Sequence, residues 1–217
     1  MNAVKRHSRS RGRGRQDYHL DFLRGFLDHP KQVGSVIPSS RFLEKRVVRS
    51  AQLAQARVVV ELGPGTGGTT RALLRGLPPN AVLLAIEINP RFVRLLRGTI
   101  RDRRLIVHEG SAADIPAALA EHGLGRADAI VSGIPFSTMK RREGLAILGS
   151  AHASLAPRGR FVAYQFRDRV ESLGRQVFGQ PRVQTEVLNV PPMRIYRWTK
   201  DSPVSDPARS RRSSRRA

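Results

Sequence analysis

Short apolar runs alternate with amphipathic stretches along the middle of the chain. Five runs have the length and composition of buried strands: RVVVEL (57–62), AVLLAIEIN (81–89), RLIVHE (104–109), ADAIVSG (127–133) and RFVAYQF (160–166). Apolar side chains recur at helical spacing between them, and the longest such stretch predicts a helix over residues 139–156, ended by Pro157 and Gly159. Strands that alternate with helices predict an α/β fold with a parallel sheet covered on both faces.

The last forty residues break this alternation. VQTEVLNV and PMRIYRW are two β-rich runs broken at Pro191 and Pro192, with no stretch of helical spacing between them. Runs this close in sequence pair antiparallel at the edge of a sheet. Five β/α units followed by a β-hairpin are the plan of a class I methyltransferase. We therefore predict a Rossmann-like sheet of seven mostly parallel strands with an antiparallel C-terminal hairpin.

Two amphipathic helices are predicted ahead of the first strand, within residues 17–55. The first ends at Pro30, and Ser39 or Ser40 is the predicted N-cap of the second. The first apolar stripe is Tyr18, Phe22, Leu23, Phe26 and Leu27, and the second is Phe42, Leu43, Val47 and Val48. Periodicity alone leaves two positions open for the first helix: packed on the sheet, or lying in the headgroup region of a membrane.

Charge is the most unusual property of the chain, since 39 Lys and Arg residues oppose 17 acids and give a net charge of +22. Residues 1–16 and 200–217 are low-complexity segments rich in Arg and Ser. We predict that they form a disordered basic arm and a disordered basic tail around one domain at 17–199. The domain keeps a positive excess of its own, which favours an anionic partner, either a nucleic acid or an acidic membrane surface.

Composition also excludes several kinds of site. No run approaches eighteen uninterrupted apolar residues, so no membrane span is predicted. The chain has no Cys, which excludes disulfides and thiolate metal sites. The six His residues lie far apart in the sequence without the spacing of metal ligands, so no metal site is predicted.

The segment VVVELGPGTGGTT joins the first predicted strand to a helix and predicts a cofactor site. It is not a P-loop, because Thr69 stands where that motif requires Lys. Three glycines instead fit the G-x-G-x-x-G pattern of nucleotide cofactors, namely Gly63, Gly65 and Gly68. Taken alone this pattern is weak, so the flanking acids decide the cofactor.

Two acids favour S-adenosylmethionine. Glu61 ends the first strand, where its carboxylate can meet the cationic methionine portion, and Glu87 ends the second, where it can accept both ribose hydroxyls. After the third strand, Ser111 takes the place of the Asp that often binds adenine, and Asp114 could either reach back or cap the next helix. The predicted cofactor contacts are Glu61, Gly63, Gly65, Gly67, Glu87, Ser111, Ala112 and Ser132.

Four segments within residues 20–199 resemble the bacterial phospholipid N-methyltransferases of the soluble, membrane-associated type: FLRGFLDHPKQVGSVIPSSRFL, ELGPGTG, SGIPF and NVPPMRIYRW. The two middle segments are shared with ribosomal RNA adenine dimethyltransferases, which typically have Asn where this chain has Ser132. The resemblance implies successive methylation of the amine of phosphatidylethanolamine toward phosphatidylcholine. It also implies a cytoplasmic protein bound peripherally to the inner face of the cell membrane.

The acceptor determines what the substrate site needs. A cationic methylated amine suits an aromatic wall, and a lipid phosphate suits a basic side chain or a helix N-terminus. No residue stands out as a general base. The predicted catalytic residues are Ser132, Phe136 and Tyr164, and the predicted substrate contacts are Tyr18, Lys31, Ser39, Ser40, Arg194 and Tyr196.

Two other functions fit the same chain. A ribosomal RNA adenine N6-methyltransferase would suit the Arg-rich arms, with nucleic acid as the partner. A non-catalytic protein that binds RNA or membranes on a methyltransferase fold would need none of the cofactor residues, so Glu61 and Glu87 speak against it. No pattern in the chain indicates its oligomeric state.

Overall fold

The structure is a computed structural model that describes residues 40–189 and 191–201. The predicted basic arm, the first predicted helix and nearly all of the predicted tail lie outside the described residues, as do Tyr18, Lys31 and Ser39. Within the described ranges, no helix is both long and apolar enough to cross a lipid bilayer.

Seven strands form one sheet in the order β3-β2-β1-β4-β5-β7-β6. Strands β1 to β5 pair in parallel, and β7 lies antiparallel between β5 and β6. The strands are β1 (Val58–Leu62), β2 (Val82–Glu87), β3 (Leu105–Glu109), β4 (Ala127–Ser132), β5 (Leu155–Gln165), β6 (Arg182–Glu186) and β7 (Met193–Thr199). This arrangement confirms the predicted class I methyltransferase fold with its C-terminal hairpin.

Six α-helices connect the strands within the described residues. They are α1 (Arg41–Ala51), α2 (Gly68–Gly76), α3 (Pro90–Thr99), α4 (Ile115–Glu121), α5 (Arg141–Ser154) and α6 (Arg169–Phe178). Ser40 is the N-cap of α1, and its Oγ accepts the N–H of Leu43 over 3.2 Å, as the sequence predicted for one of the two serines. Asn89 caps α3 in the same way through the N–H of Arg91, with Pro90 at the first helical position.

The core lies on both faces of the sheet. On one face, Leu43 and Val47 of α1 pack with Leu73 of α2 over the central strands. On the other face, α4, α5 and α6 enclose a second cluster that includes Phe161 and Trp198. Leu43 and Val47 of α1 are thus buried, whereas Phe42 of the predicted stripe is 53% exposed, and truncating Leu43 to Ala would cost about 2–5 kcal/mol of stability.

The beginning of β5 differs from the sequence expectation. Helix α5 ends at Ser154 and β5 begins directly at Leu155, so the segment around Pro157 lies inside the strand and not at the end of the helix. Leu155 pairs with Ala127, whereas Arg160 pairs with Ala129, so residues 156–159 form a bulge. A bulge accommodates Pro because its backbone nitrogen is not needed in the ladder.

Helix α6 has no counterpart among the predicted helices. Its buried residues are Val170, Leu173 and Gly174, and Val177 and Phe178 are partly buried against the same cluster, so its apolar residues recur at helical spacing. Trp198 of β7 packs so closely against Gly174 that a Cβ there would clash, and the Trp198 Nε1–H donates to the carbonyl of Gly179 over 2.9 Å. This spacing was overlooked in the sequence, and packing of the apolar side against the hairpin stabilises the helix.

Candidate active site

The glycine-rich turn after β1 lies at the carboxyl edge of the sheet. Gly63 has a φ of 69°, and a Cβ there would lie 3.0 Å from Cγ1 of Ile134, so the turn passes close to the segment after β4. A Cβ on Gly65, whose φ is 55°, would meet nothing within 4 Å. The backbone of the turn therefore borders open space at Gly65, as a cofactor-binding turn requires.

Glu87 lies at the end of β2 and is bonded to this turn. Its Oε2 accepts the N–H of Gly65 over 3.1 Å, and its Oε1 accepts the N–H of Asn89 over 2.9 Å. Burial raises the pKa of Glu87, and these backbone hydrogen bonds partly oppose the shift. Each oxygen keeps a second lone pair, so the carboxylate can still accept two ribose hydroxyls in the predicted manner.

Glu61 lies at the end of β1 and is 1% exposed. Neither carboxylate oxygen has a hydrogen-bond partner among the described residues, and the buried hydroxyl of the neighbouring Thr70 has none either. Burial raises the pKa of Glu61 to about 8 and the charge of Glu87 adds to the rise, whereas the Thr70 hydroxyl, which lies nearby but outside hydrogen-bond geometry, opposes part of it. A buried acid with free acceptor positions fits the cationic portion of S-adenosylmethionine.

Tyr164 of β5 stands opposite Glu61 at the same edge. Its hydroxyl is 3.0 Å from Oγ1 of Thr69, and a Cβ on Gly133 would come within 2.5 Å of that hydroxyl. The pKa of Tyr164 is raised, first by burial and then by the nearby charge of Glu61. Tyr164 stays protonated at neutral pH, so it can donate or accept a hydrogen bond but cannot take a proton.

The segment after β4 holds two more of the predicted residues. Ser132 is fully buried, and its Oγ accepts the N–H of Ile134 over 3.4 Å. The Gln165 side chain donates to the carbonyl of Ile134 over 2.6 Å and so ties the segment to the end of β5. Phe136 is fully buried in the cluster on the α5–α6 face. Its predicted contact with the acceptor amine stays a prediction.

The segment after β3 is capped by Ser111. Its Oγ accepts the N–H of Ala113 over 3.1 Å, which leaves the hydroxyl proton free for a ligand. Asp114 is exposed and occupies the N-cap position of α4 without a capping hydrogen bond from its side chain. Asp114 therefore takes the N-cap position that the sequence analysis considered for it, whereas the side-chain capping bond in this segment comes from Ser111.

Of the described substrate candidates, Arg194 and Tyr196 come together, since the Arg194 guanidinium lies near the Tyr196 hydroxyl, but the set as a whole does not form one pocket. Ser40 is occupied as a helix cap, and its own N–H donates to Oδ1 of Asn189 over 2.9 Å. Arg194 is exposed on β7. Tyr196 is fully buried with the α5–α6 cluster, whereas Tyr164 packs against the cluster under α1 and α2. Tyr196 therefore lies on the opposite face of the sheet from Tyr164, and its packing does not support a role in the same pocket.

Three residues that the sequence analysis did not select join the site. Thr69 and Thr70 follow the glycine run directly and bring hydroxyls next to Tyr164 and Glu61. The Glu44 side chain of α1 lies close to the start of α2. A Cβ placed on Gly68 would be 3.2 Å from Oε1 of Glu44. The two threonines were visible in the motif, but Glu44 comes from a separate helix and only the fold brings it here.

The chain has relatives among known proteins, although no protein-family model matches it. It is 32% identical over 183 residues to the ornithine lipid N-methyltransferase of Singulisphaera acidiphila, a match that covers 83% of this chain and 95% of that protein. It is 38% identical over 95 residues to the ribosomal RNA small subunit methyltransferase A of Caulobacter vibrioides, but that match covers only 43% of this chain and 34% of that protein.

Solved structures share the fold at low sequence identity. The O-methyltransferase TomG of Streptomyces achromogenes, in complex with S-adenosylmethionine, superposes with a TM-score of 0.62 and 16% identity over 84% of this chain and 89% of that one. This similarity concerns the fold, whereas the match to the lipid enzyme extends over nearly its whole length. The chain therefore belongs to the lipid N-methyltransferases of the class I S-adenosylmethionine-dependent superfamily.

Proposed function

We propose that this protein methylates the primary amine of a membrane aminolipid. The observation that carries the proposal is the 32% identity to an ornithine lipid N-methyltransferase over 95% of that protein. An ornithine-headed lipid is the first candidate acceptor on this ground. Phosphatidylethanolamine is the second, because the segments SGIPF and NVPPMRIYRW resemble the phospholipid N-methyltransferases.

S-adenosylmethionine supplies an electrophilic methyl group on a sulfonium. Glu87 would accept the ribose hydroxyls, the open space at Gly65 would admit the nucleoside, and Glu61 would face the cationic methionine portion. Attack on a methyl carbon is in line, so the protein contributes mainly by holding the amine and the methyl group together in a dry pocket. The buried acids and hydroxyls between α1, α2 and the edge of the sheet meet that requirement.

The acceptor amine must be neutral to attack, yet a primary amine with a pKa of about 10 is mostly protonated at neutral pH. Tyr164 and Thr69 can orient the neutral amine. One of the two hydroxyls can accept an N–H of the amine, while its hydrogen bond to the other hydroxyl keeps it in position. The raised pKa of Tyr164 excludes it as the base. We propose that the amine gives its proton to bulk water as it leaves the lipid surface for this less polar site, where the neutral form is favoured.

A rim of exposed apolar side chains surrounds this edge of the sheet and suits a lipid surface as partner. Phe166 follows β5 directly, and the turn between β6 and β7 carries Val187 and Leu188, which are 67% and 60% exposed. The turn is joined to α1 through the bond from the Ser40 N–H to Asn189. We propose that this rim meets an anionic membrane peripherally, helped by the net charge of +22.

The test uses the purified full chain with S-adenosylmethionine labelled in its methyl group. Three acceptors are supplied separately: vesicles with an ornithine lipid, vesicles with phosphatidylethanolamine, and small-subunit ribosomal RNA. Label in either lipid supports the proposal and identifies the acceptor. Label in RNA alone would favour the ribosomal alternative, and cofactor binding without transfer to any acceptor would favour a non-catalytic protein.

A further inference from the structure

A cluster of two imidazoles and a carboxylate lies outside the active site, at the edge of the sheet. His108 belongs to β3, and Glu121 and His122 lie at the end of α4. One ligand atom from each of these residues lies within 4.8 Å of the other two. The sequence analysis predicted no metal site because its histidines are far apart, but the fold brings two of them together across fourteen residues.

The separations match those of ligands around one metal ion. Nδ1 of His108 is 3.3 Å from Nε2 of His122. Two imidazoles bound tetrahedrally to zinc at about 2.0–2.1 Å stand roughly 3.3 Å apart. Oε1 of Glu121 is 3.8 Å from the same Nδ1, and the three ligand atoms lie within 4.8 Å of one another, so the carboxylate would move toward the two rings to share an ion with them. That side chain is 65% exposed and is free to make this adjustment.

The His108 ring is held in the orientation that the cluster needs. A Cβ on Gly110 would come within 2.6 Å of its Nε2, so glycine at that position leaves room for the ring. The two imidazole planes stand at 89° to each other with centroids 5.4 Å apart, so the rings are not stacked. A hydrogen bond between the two rings together with an ion pair from His108 to Glu121 would also explain these distances, and a zinc titration separates that case from a metal site.

We infer that His108, Glu121 and His122 form a binding site for one divalent transition-metal ion, of which zinc is the reference case. Two neutral imidazoles and one carboxylate are a zinc ligand set that leaves the fourth position for water. The bound ion would link the end of β3 to the end of α4. These two ends flank the segment that carries Ser111 and Ala112, so the metal would brace that segment.

The experiment titrates zinc chloride into the full chain, prepared without an affinity tag and cleared of metal with a chelator. A competing chromogenic chelator reports the affinity, and cobalt(II) reports the geometry through the strong visible absorption of tetrahedral sites. We expect one ion per chain with micromolar or tighter affinity, a tetrahedral cobalt spectrum and a rise in the thermal unfolding midpoint.

Three variants locate the ion. His122→Gln and Glu121→Gln change side chains at the surface end of α4 and should each weaken zinc binding at least about tenfold. His152→Ala, which removes a histidine of α5, should bind zinc as the wild type does. The inference is overturned if the wild type binds no zinc in the micromolar range, or if His122→Gln binds it within tenfold of the wild type while circular dichroism shows an intact fold.

Discussion

The backbone N–H of Gly65 donates to Oε2 of Glu87 over 3.1 Å and ties the glycine-rich turn to the end of the neighbouring strand. This bond holds the backbone of Gly65 next to the Glu87 carboxylate, and the space beside Gly65 is open. A nucleoside held in that space would meet an acid that is already oriented. The two most informative features of the sequence motif thus form one unit in the fold.

Replacing Glu87 with Ala should weaken the binding of S-adenosylmethionine. A hydrogen bond to a charged group contributes about 1.5–3 kcal/mol, so the loss of the ribose contacts should lower the affinity at least about tenfold. Isothermal titration with the cofactor measures this directly. Glu109→Ala is the matched control, because Glu109 is the register partner of Glu87 at the exposed end of β3. Equal losses in both variants would contradict the assignment.

The protonation of Glu61 should make stability fall as the pH rises. Its pKa is about 8 in the folded protein, against an ordinary value of 4.5, so the folded protein keeps this proton up to a higher pH than the unfolded protein does. The contribution of the protonated Glu61 to the free energy of unfolding is fully present below about pH 4.5 and is lost as the pH rises through 8. Glu61→Gln cannot lose a proton, so this variant should gain stability relative to the wild type over that range, by about 1.4 kcal/mol per pH unit at most.

Urea unfolding of the cofactor-free protein at pH 5, 6.5 and 8 measures this difference. The gain of the Gln variant over the wild type should grow across the series, whereas Glu109→Gln should follow the wild type because its side chain is exposed. The same Glu61→Gln variant should bind the cofactor more weakly, since the neutral amide no longer faces a cationic group with a charge. A constant difference at all three pH values would show that Glu61 is already ionised.

Periodicity predicts much of the fold, because most strands and helices are specified by residues that are neighbours in the sequence. Strand β1 is a short β-branched run that ends in an acid and a glycine turn, so a few neighbouring residues specify it. Helix α6 was overlooked although its apolar residues recur at helical spacing, whereas the contact of its Gly174 with Trp198, more than twenty residues away, depends on the fold. The site divides in the same way: Glu61, Glu87 and the glycines follow from one motif, whereas the contribution of Glu44 depends on how α1 packs.

The sequence predicts the strand on which a side chain lies more readily than the face of the sheet to which it points. Tyr164 and Tyr196 both lie on strands near the proposed pocket, but β5 and β7 are paired so that Tyr164 opposes Ile195 and Tyr196 opposes Ala163. The two tyrosines therefore point to opposite faces. Only the register reveals this, because a shift of one residue would exchange the faces. The proximity of His108 and His122 has the same origin in tertiary structure.

Gly133→Ala should impair methyl transfer by displacing Tyr164. The new Cβ would lie 2.5 Å from the Tyr164 hydroxyl and 3.3 Å from the carbonyl of Gly63, so the ring must shift, which disturbs the 3.0 Å contact between that hydroxyl and Thr69. A displacement of about 1 Å at a reacting site can cost about a hundredfold in rate. The measurement is the initial rate of label transfer to the lipid that serves as acceptor.

Gly149→Ala is the control for this change, because a Cβ there meets nothing within 4 Å and the residue lies in α5. It should leave the rate unchanged and raise the stability by roughly 0.5–1 kcal/mol. In the double variant Gly133→Ala, Tyr164→Phe the clash with the hydroxyl is removed, so the unfolding midpoint should recover relative to Gly133→Ala alone. Full activity of Gly133→Ala would show that Tyr164 does not position the amine.

Replacing Val187 and Leu188 together with Asp should weaken the binding of the protein to anionic vesicles. Both side chains are more than half exposed in the turn between β6 and β7, so the change leaves the core intact. It removes apolar area from the proposed contact and adds two negative charges next to an anionic surface. Sedimentation with vesicles should show a loss of affinity of about tenfold or more, and the loss should be larger at low salt.

Val183→Asp separates this effect from a general change in charge or solubility. Val183 is 45% exposed on the same hairpin, but it lies four residues before the turn, on β6. The Val183→Asp variant should retain most of its binding to anionic vesicles. The rate of methyl transfer to a short-chain, water-soluble acceptor should be unchanged in both variants. Equal binding by all three proteins would show that the lipid surface meets the protein elsewhere. Because Val183→Asp adds one negative charge and the double variant adds two, a free-energy loss about half as large in Val183→Asp would reduce the effect to net charge.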